Sequence, residues 1–155
     1  MPKRYLPPSD FLNAIIKDEV SFDDPAFGSD NLTRLIAMTR DAHVANRDWA
    51  TLLLAQLECD RPEVRDALLS SADDVDSNVR AEAIYGLALT DTALALPFLQ
   101  RELAAKAVSM PLLEAAANVA HPSLVPDLQD FAAPSDDPYL DKLVQDAISA
   151  CSAQS

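Results

Sequence analysis

Apolar positions recur along this chain at helical spacing. Val79, Ala83, Gly86 and Leu87 fall at i, i+4, i+7 and i+8, a single stripe of one helix. Phe11, Leu12, Ile15 and Ile16 form a similar stripe, and so do Leu32, Leu35, Ile36 and Met38. Read this way, the pattern predicts helices at about 10–19, 31–41, 48–59, 62–72, 78–90, 92–106, 108–120, 122–133 and 138–151. Ser9 suits the cap of the first, and Pro62 occupies a first turn, where no backbone donor is lost. Breaks fall at 20–30, with Pro25 and Gly28, at 73–77 and at 134–138. Residues 1–9, with Pro2, Pro7 and Pro8, read as extended, and 152–155 as a frayed tail.

The stripes repeat. VRAEAIYGLALTDTALALPFL (79–99) lies over VSMPLLEAAANVAHPSLVPDL (108–128) without a gap, at an offset of 29. Gly86 then matches Ala115, Leu87 matches Ala116 and Pro97 matches Pro126. Upstream, an offset of 30 sets Trp49, Leu53 and Leu57 against Val79, Ala83 and Leu87. Downstream, an offset of 31 from Val108 sets Tyr139, Leu143 and Ala147 in the same places. A two-helix unit at this period predicts an all-α fold, a right-handed α-solenoid of about four repeats over 31–155. Residues 1–30 match no repeat and read as an N-terminal helical cap, the whole forming one structural domain. Small residues at 83 and 86 would let neighbouring helices approach closely. Pro97 and Pro126 would each kink the first helix of a pair.

Composition agrees with this. Two glycines among 155 residues cannot supply the turns of a hairpin-rich β fold, and Ala and Leu favour helix. The formal charge of −13 repels phosphate backbones, which argues against nucleic acid and for a basic protein partner if charge is used. Cys59 and Cys151 form no C-x-x-C and read as reduced, part-buried thiols of a cytoplasmic protein. MPKRYLPPSDF lacks the apolar run of a secretory signal, and no stretch reaches the roughly 18 apolar residues of a membrane span.

The run DSNVRAEAIYGLAL, Asp76–Leu89, resembles the consensus of HEAT repeats, in particular the short phycobilisome-lyase-like kind. The shared pattern is a loop Asp, then V-R, then an Ala and a G-L pair along the second helix. Trp49-Ala50, Val108-Ser109 and Tyr139-Leu140 lack the Arg at the aligned position. The resemblance implies that Asp76 bonds Arg80 or the amides of its helix, a structural role. It also implies that the second helices line a concave face.

Candidate chemistry is sparse. His43 and His121 fall in turns of different kinds, and there is no His-Glu pair of the sort that binds iron in some HEAT-like enzymes. No phosphate-binding glycine loop or nucleophile elbow can be built from Gly28 and Gly86. The adjacent acids Asp23-Asp24, Asp73-Asp74 and Asp136-Asp137 suit helix capping. No catalytic residue, cofactor or metal is therefore expected.

Surface remains. Non-core positions on the second helices are Thr51, Leu52, Ala55, Arg80, Glu82, Tyr85, Met110, Glu114, Asn118, Lys142 and Gln145. Of these, Leu52, Arg80, Glu82, Tyr85, Met110, Glu114 and Asn118 are the candidate protein-binding residues, while Trp49 reads as core. Residues 107–155 hold seven acids against one base, Lys142, a second candidate surface. The reading is a non-enzymatic scaffold or adaptor, monomer or weak homodimer, docking a protein or peptide on the concave face. The alternatives are an acidic inhibitor or immunity-type protein that neutralises a basic partner, and a lyase-like enzyme or enzyme subunit.

Overall fold

A computed structural model describes residues 5–153; Pro2 and the last two residues of the tail lie outside them. Among the described residues all regular structure is helical. The helices are α1 (Asp10–Ile16), α2 (Gly28–Met38), α3 (Val44–Gln56), α4 (Pro62–Ser71) and α5 (Ser77–Thr90). They continue with α6 (Thr92–Ala104), α7 (Met110–Val119), a 3-10 turn at Pro122–Leu124, α8 (Val125–Gln129) and α9 (Pro138–Ser152). None is long and apolar enough to cross a membrane.

Four helices form the spine. α3 packs on α5, α5 on α7 and α7 on α9. α2, α4, α6 and α8 lie against them on the other side, and α1 rests on α3. The central helix α5 buries Val79, Ala81, Ala83, Ile84, Gly86, Leu87 and Ala88. That all-round apolar surface is what a helix needs when it is flanked by α3, α4, α6 and α7.

Gly86 sets the α3–α5 spacing. A Cβ built there would lie 2.8 Å from the Ala55 Cβ and 3.1 Å from the Leu68 Cδ1. The small residue is thus a close-approach device, as its place in the stripe implies. Asp91 alone separates α5 from α6: its backbone ends one helix and its side chain accepts from the Leu94 amide at 3.2 Å to start the next.

Several boundaries differ from the sequence expectation. α2 begins at Gly28, not 31, because Gly28 packs against the Phe22 carbonyl, where a Cβ would sit 2.3 Å from the oxygen. α3 begins at Val44, not 48. His43 is its cap, accepting from the Ala45 amide at 3.1 Å, so Asn46 and Arg47 lie inside the helix. Pro126 sits in the first turn of α8 and interrupts nothing; among the described residues only Pro97 is inside a helix beyond its first turn.

The shifted start of α3 corrects the repeat register. Arg47 donates to the carbonyls of Asp41 and Ala42 at 3.2 and 3.3 Å, and Arg80 donates to those of Asp74 and Val75 at 3.1 and 3.3 Å. The two arginines are counterparts, so the offset between α3 and α5 is 33, not 30. Ala50 and Leu54 then match Ala83 and Leu87, and all four are fully buried. In this register α3 has an arginine at the position aligned with Arg80, namely Arg47. The pairing expected between Asp76 and Arg80 does not form. Asp76 caps α5 through the amides of Asn78 and Val79, while Arg80 turns to Glu102 of α6 at 2.8 Å.

Glu102 is 4% exposed and takes both Arg80 and Arg101, at 2.8 and 3.1 Å. Arg101 also reaches the Asp73 carboxylate and the Ala72 carbonyl, each at 2.7 Å. Arg47 pairs with Asp74 at 3.0 Å. These ion pairs tie the loop before α5 to helices on both sides. With few glycines to end helices, Asp18, Glu58, Lys106 and Ala120 adopt left-handed backbone (φ 61°, 48°, 64° and 53°).

Candidate partner-binding face

The outward side of α3, α5 and α7 presents most of the candidate residues. Side chains one layer out from the stacking residues line it: Leu52 on α3, Glu82 and Tyr85 on α5, and Glu114 on α7, all half-buried. Met110, at the first turn of α7, is 44% exposed. Asn118 is exposed at the far end of α7, and its side-chain amide donates to the Ala88 carbonyl of α5 at 3.2 Å. These six of the seven expected residues are where the periodicity puts them.

Arg80 is not on this face. Its guanidinium is held by Glu102 and two loop carbonyls at the edge of the stack. Thr51 and Ala55, expected off the core, are buried between helices; the Thr51 hydroxyl donates to the Arg47 carbonyl at 2.7 Å. Lys142 is spent on Asp146 at 2.8 Å, and Gln145 leans back to the Ala132 carbonyl at 3.4 Å. Both belong to α9's own surface.

Four residues join the face that the sequence pattern did not select: Tyr5, Trp49, Asp48 and Glu58. Trp49 is half-buried rather than core, and Tyr5 stacks on it, with ring centroids 6.5 Å apart and planes at 23°. The contact joins the N-terminal segment to α3, a non-local pairing with no local signal. Asp48 was hidden by the register: read at the helix start, it passes for a cap, whereas it lies a full turn inside α3.

The electrostatics are one-sided. Burial, then the neighbouring carboxylates Asp48 and Glu114, push Glu82 up to about 7. Asp48 is raised by burial and by Asp76. Tyr85 is raised by burial and by Glu114, Glu58 and Glu82, and Tyr5 by burial and by Asp48 and Asp76. Among the described residues none of Asp48, Glu58, Glu82 and Glu114 makes an ion pair. Negative charge thus accumulates among half-buried apolar side chains, with no cation paired to it among the described residues.

A cleft of about 400 Å³ opens at the N-terminal end of this face, lined by Tyr5, Val44, Asp48, Asp76 and Asn78. One ring, one aliphatic side chain and two carboxylates suit a cationic side chain. A larger hollow of about 610 Å³ lies beside α1 and α2, where Arg34 sits 4.2 Å over the Phe11 ring among Asp10, Glu19 and Asp24. Its charges are mixed and converge on no single chemistry.

His43 and His121 each cap a helix start, through the amides of Ala45 and Ser123, both at 3.1 Å. Among the described residues no group of three His, Cys, Asp or Glu side chains is placed to hold a metal.

No family model matches the chain, and no curated protein does. Among solved structures, the X-ray structure of YibA from E. coli is similar, with a TM-score of 0.63 at 23% identity over 90% of this chain. The chain spans 54% of that protein's length. The likeness shows a shared fold.

Proposed function

We propose that the chain is a non-enzymatic binding module that docks a protein or peptide on the face made by α3, α5 and α7. In this reading the pairs α2–α3, α4–α5, α6–α7 and α8–α9 are four HEAT-like repeats of a right-handed solenoid, capped by α1. The face is its concave surface. The observation that carries the reading is the set Asp48, Glu82 and Glu114, which makes no ion pair among the described residues and is half-buried on the same helices as Leu52 and Tyr85. Carboxylates left without cations in an apolar setting are destabilising in the free protein, and a partner that supplies cations relieves that cost.

The partner is accordingly basic where it touches this face, which draws the scaffold and the acidic-inhibitor readings onto one surface. Both cysteines are free, which suits a reducing cytoplasm. The test is a quantitative pull-down from a host lysate with wild-type protein and with the double variant Leu52→Ala/Tyr85→Ala. The reading expects a set of proteins held by the wild type and lost from the variant. Identical captures with both would overturn it.

A further inference from the structure

The N-terminal segment reaches α3 with one side chain that little else holds. Pro7 is buried, its carbonyl accepts from the Asn13 side-chain amide at 2.8 Å, and the Ser9 amide donates to Asn46 of α3 at 3.0 Å. These contacts fix the chain from residue 7 onward. Tyr5 and Leu6 make no hydrogen bond to a described residue, and they stay 54% and 51% exposed. What seats Tyr5 is the stack of its ring on Trp49. Such a stack shifts an equilibrium by roughly two- to tenfold beyond the area it buries, and Tyr5 buries less than half of its surface. The contact is weak enough to be exchanged for a better one.

Trp49 offers more than Tyr5 uses. In the register set by Arg47 and Arg80, Trp49 lies level with Glu82, and Leu52 with Tyr85, so the seat is continuous with the candidate face. The Trp49 Nε1 is buried and finds no acceptor among the described residues. A buried donor left in that state is costly, and the carbonyl of an incoming segment would satisfy it. Next to it Asp48 is half-buried and makes no ion pair among the described residues. Asp48 and Asp76 line one cleft with Tyr5. After burial, these two carboxylates hold the Tyr5 hydroxyl above its usual range, so both lie close to the seated ring. A ring face beside two carboxylates is complementary to an aromatic side chain with a base next to it. The chain's own sequence carries that combination, Lys3-Arg4-Tyr5.

We propose that Trp49, with the Asp48–Asp76 cleft beside it, is the docking seat for an aromatic side chain flanked by lysine or arginine on a partner protein, and that Tyr5 fills the seat in the free chain and yields it to the partner. This rests on the binding-module reading above and adds the side chains that the partner presents. The incoming ring replaces Tyr5 on Trp49, and the neighbouring base enters the cleft between Asp48 and Asp76. Tyr5 thereby sets a threshold. A basic segment without a ring has nothing to put in its place.

The test uses the full-length protein, as wild type and as Tyr5→Ala, and the peptide of residues 1–8 as the probe. Two altered peptides accompany it, one with Tyr5→Ala and one with Lys3→Gln and Arg4→Gln. Trp49 is the single tryptophan, so its fluorescence reports on the seat, and amide shifts of the labelled protein locate the contact. The peptide should bind the Tyr5→Ala protein about threefold or more tighter than the wild type. Each altered peptide should bind that protein about threefold or more weaker than the original, and so should the original peptide once Asp48→Asn is added to the protein or salt is raised. Shifts should centre on Asp48–Leu52 and Glu82–Tyr85.

Equal affinity of the two proteins for the peptide, altered peptides as good as the original, or no binding to either protein at millimolar concentration would overturn the inference. So would shifts confined to the acid-rich stretch 127–146. A wild-type dimer that the peptide disperses would give the seat to a second copy of this chain and overturn the partner assignment. Failure here, with the lysate capture still dependent on Leu52 and Tyr85, removes the Trp49 seat and leaves the face. Failure of both removes the face as well.

Discussion

Glu82 places a measurable cost on the free protein. Its carboxyl titrates at about 7 when folded, against 4.5 when exposed, so the folded state holds a proton that the unfolded chain has released. The sign follows from that. Stability is fully present below the unfolded value and falls as pH rises through the folded one. The gap between 4.5 and about 7, at about 1.4 kcal/mol per pH unit, caps the cost at about 3.4 kcal/mol. Water reaching this half-buried group reduces that to roughly 1–2 kcal/mol. Glu82→Gln keeps the shape of the protonated acid and removes the charge. At pH 8 the variant should therefore be more stable than the wild type by about 1–2 kcal/mol, or roughly 3–6 °C in Tm for a chain of this size. At pH 5.5 the folded wild type holds more of its proton, and the advantage should shrink by roughly a fifth to two-fifths. Lower pH approaches the isoelectric point of 4.3 and favours precipitation. Urea unfolding of both proteins at the two pH values decides the matter. The same difference at both, or a less stable variant at pH 8, would refute the electrostatic reasoning.

Other positions give sharper structural tests. Gly86→Ala should destabilise by about 1–2 kcal/mol despite Ala's better helix propensity, because the added methyl meets Ala55 at 2.8 Å; a variant as stable as the wild type in urea would show that α3 and α5 are free to separate. Glu102→Ala should cost about 2–4 kcal/mol, since it strips a buried partner from Arg80 and Arg101 together; a loss below about 1 kcal/mol in the same assay would make the pair ornamental. Ala120→Gly should stabilise by about 1 kcal/mol in thermal melts by relieving a left-handed residue at the end of α7 (φ 53°); no gain would mean the strain is absent. Asp76→Ala should cost about 1 kcal/mol, the two amides of Asn78 and Val79 losing their cap.

The all-helical fold and the stretch around α5 were legible because apolar side chains there keep their period. The 29-residue offset from α5 to α7 carries over to the burial of Leu112, Leu113, Ala115 and Ala116. The register of α3 was not legible, because Asn46 stands where the period asks for an apolar residue, opposite Val79. Asn46 is buried, but its side chain is used in hydrogen bonds: it accepts from the Ser9 amide at 3.0 Å and donates to Asp41 at 2.9 Å. With Asn46 and Arg47 read as loop, Trp49 took the place of Val79 and the repeat Arg seemed missing. α2 was shortened for a related reason: Gly28 and Ser29 read as loop, yet Gly28 is there for its lack of a side chain against Phe22.

The candidate face divides in the same way. Leu52, Glu82, Tyr85 and Glu114 follow from helical phase alone. Tyr5 and Trp49 meet across 44 residues of sequence, and no local pattern announces such a pair. Arg80 was misplaced because phase gives the direction of a side chain's root and not where a long side chain ends; Glu102, from the next helix, decides that.

The central claim is that the outward side of α3, α5 and α7 meets the partner. Hydrogen–deuterium exchange of the protein, alone and in complex with the partner recovered in the capture experiment, tests it most directly. Slowed exchange in peptides spanning 48–56, 82–89 and 114–118, with 62–71 and 92–104 unchanged, is the predicted result. Protection confined to α4 and α6, or to 127–152, would contradict it.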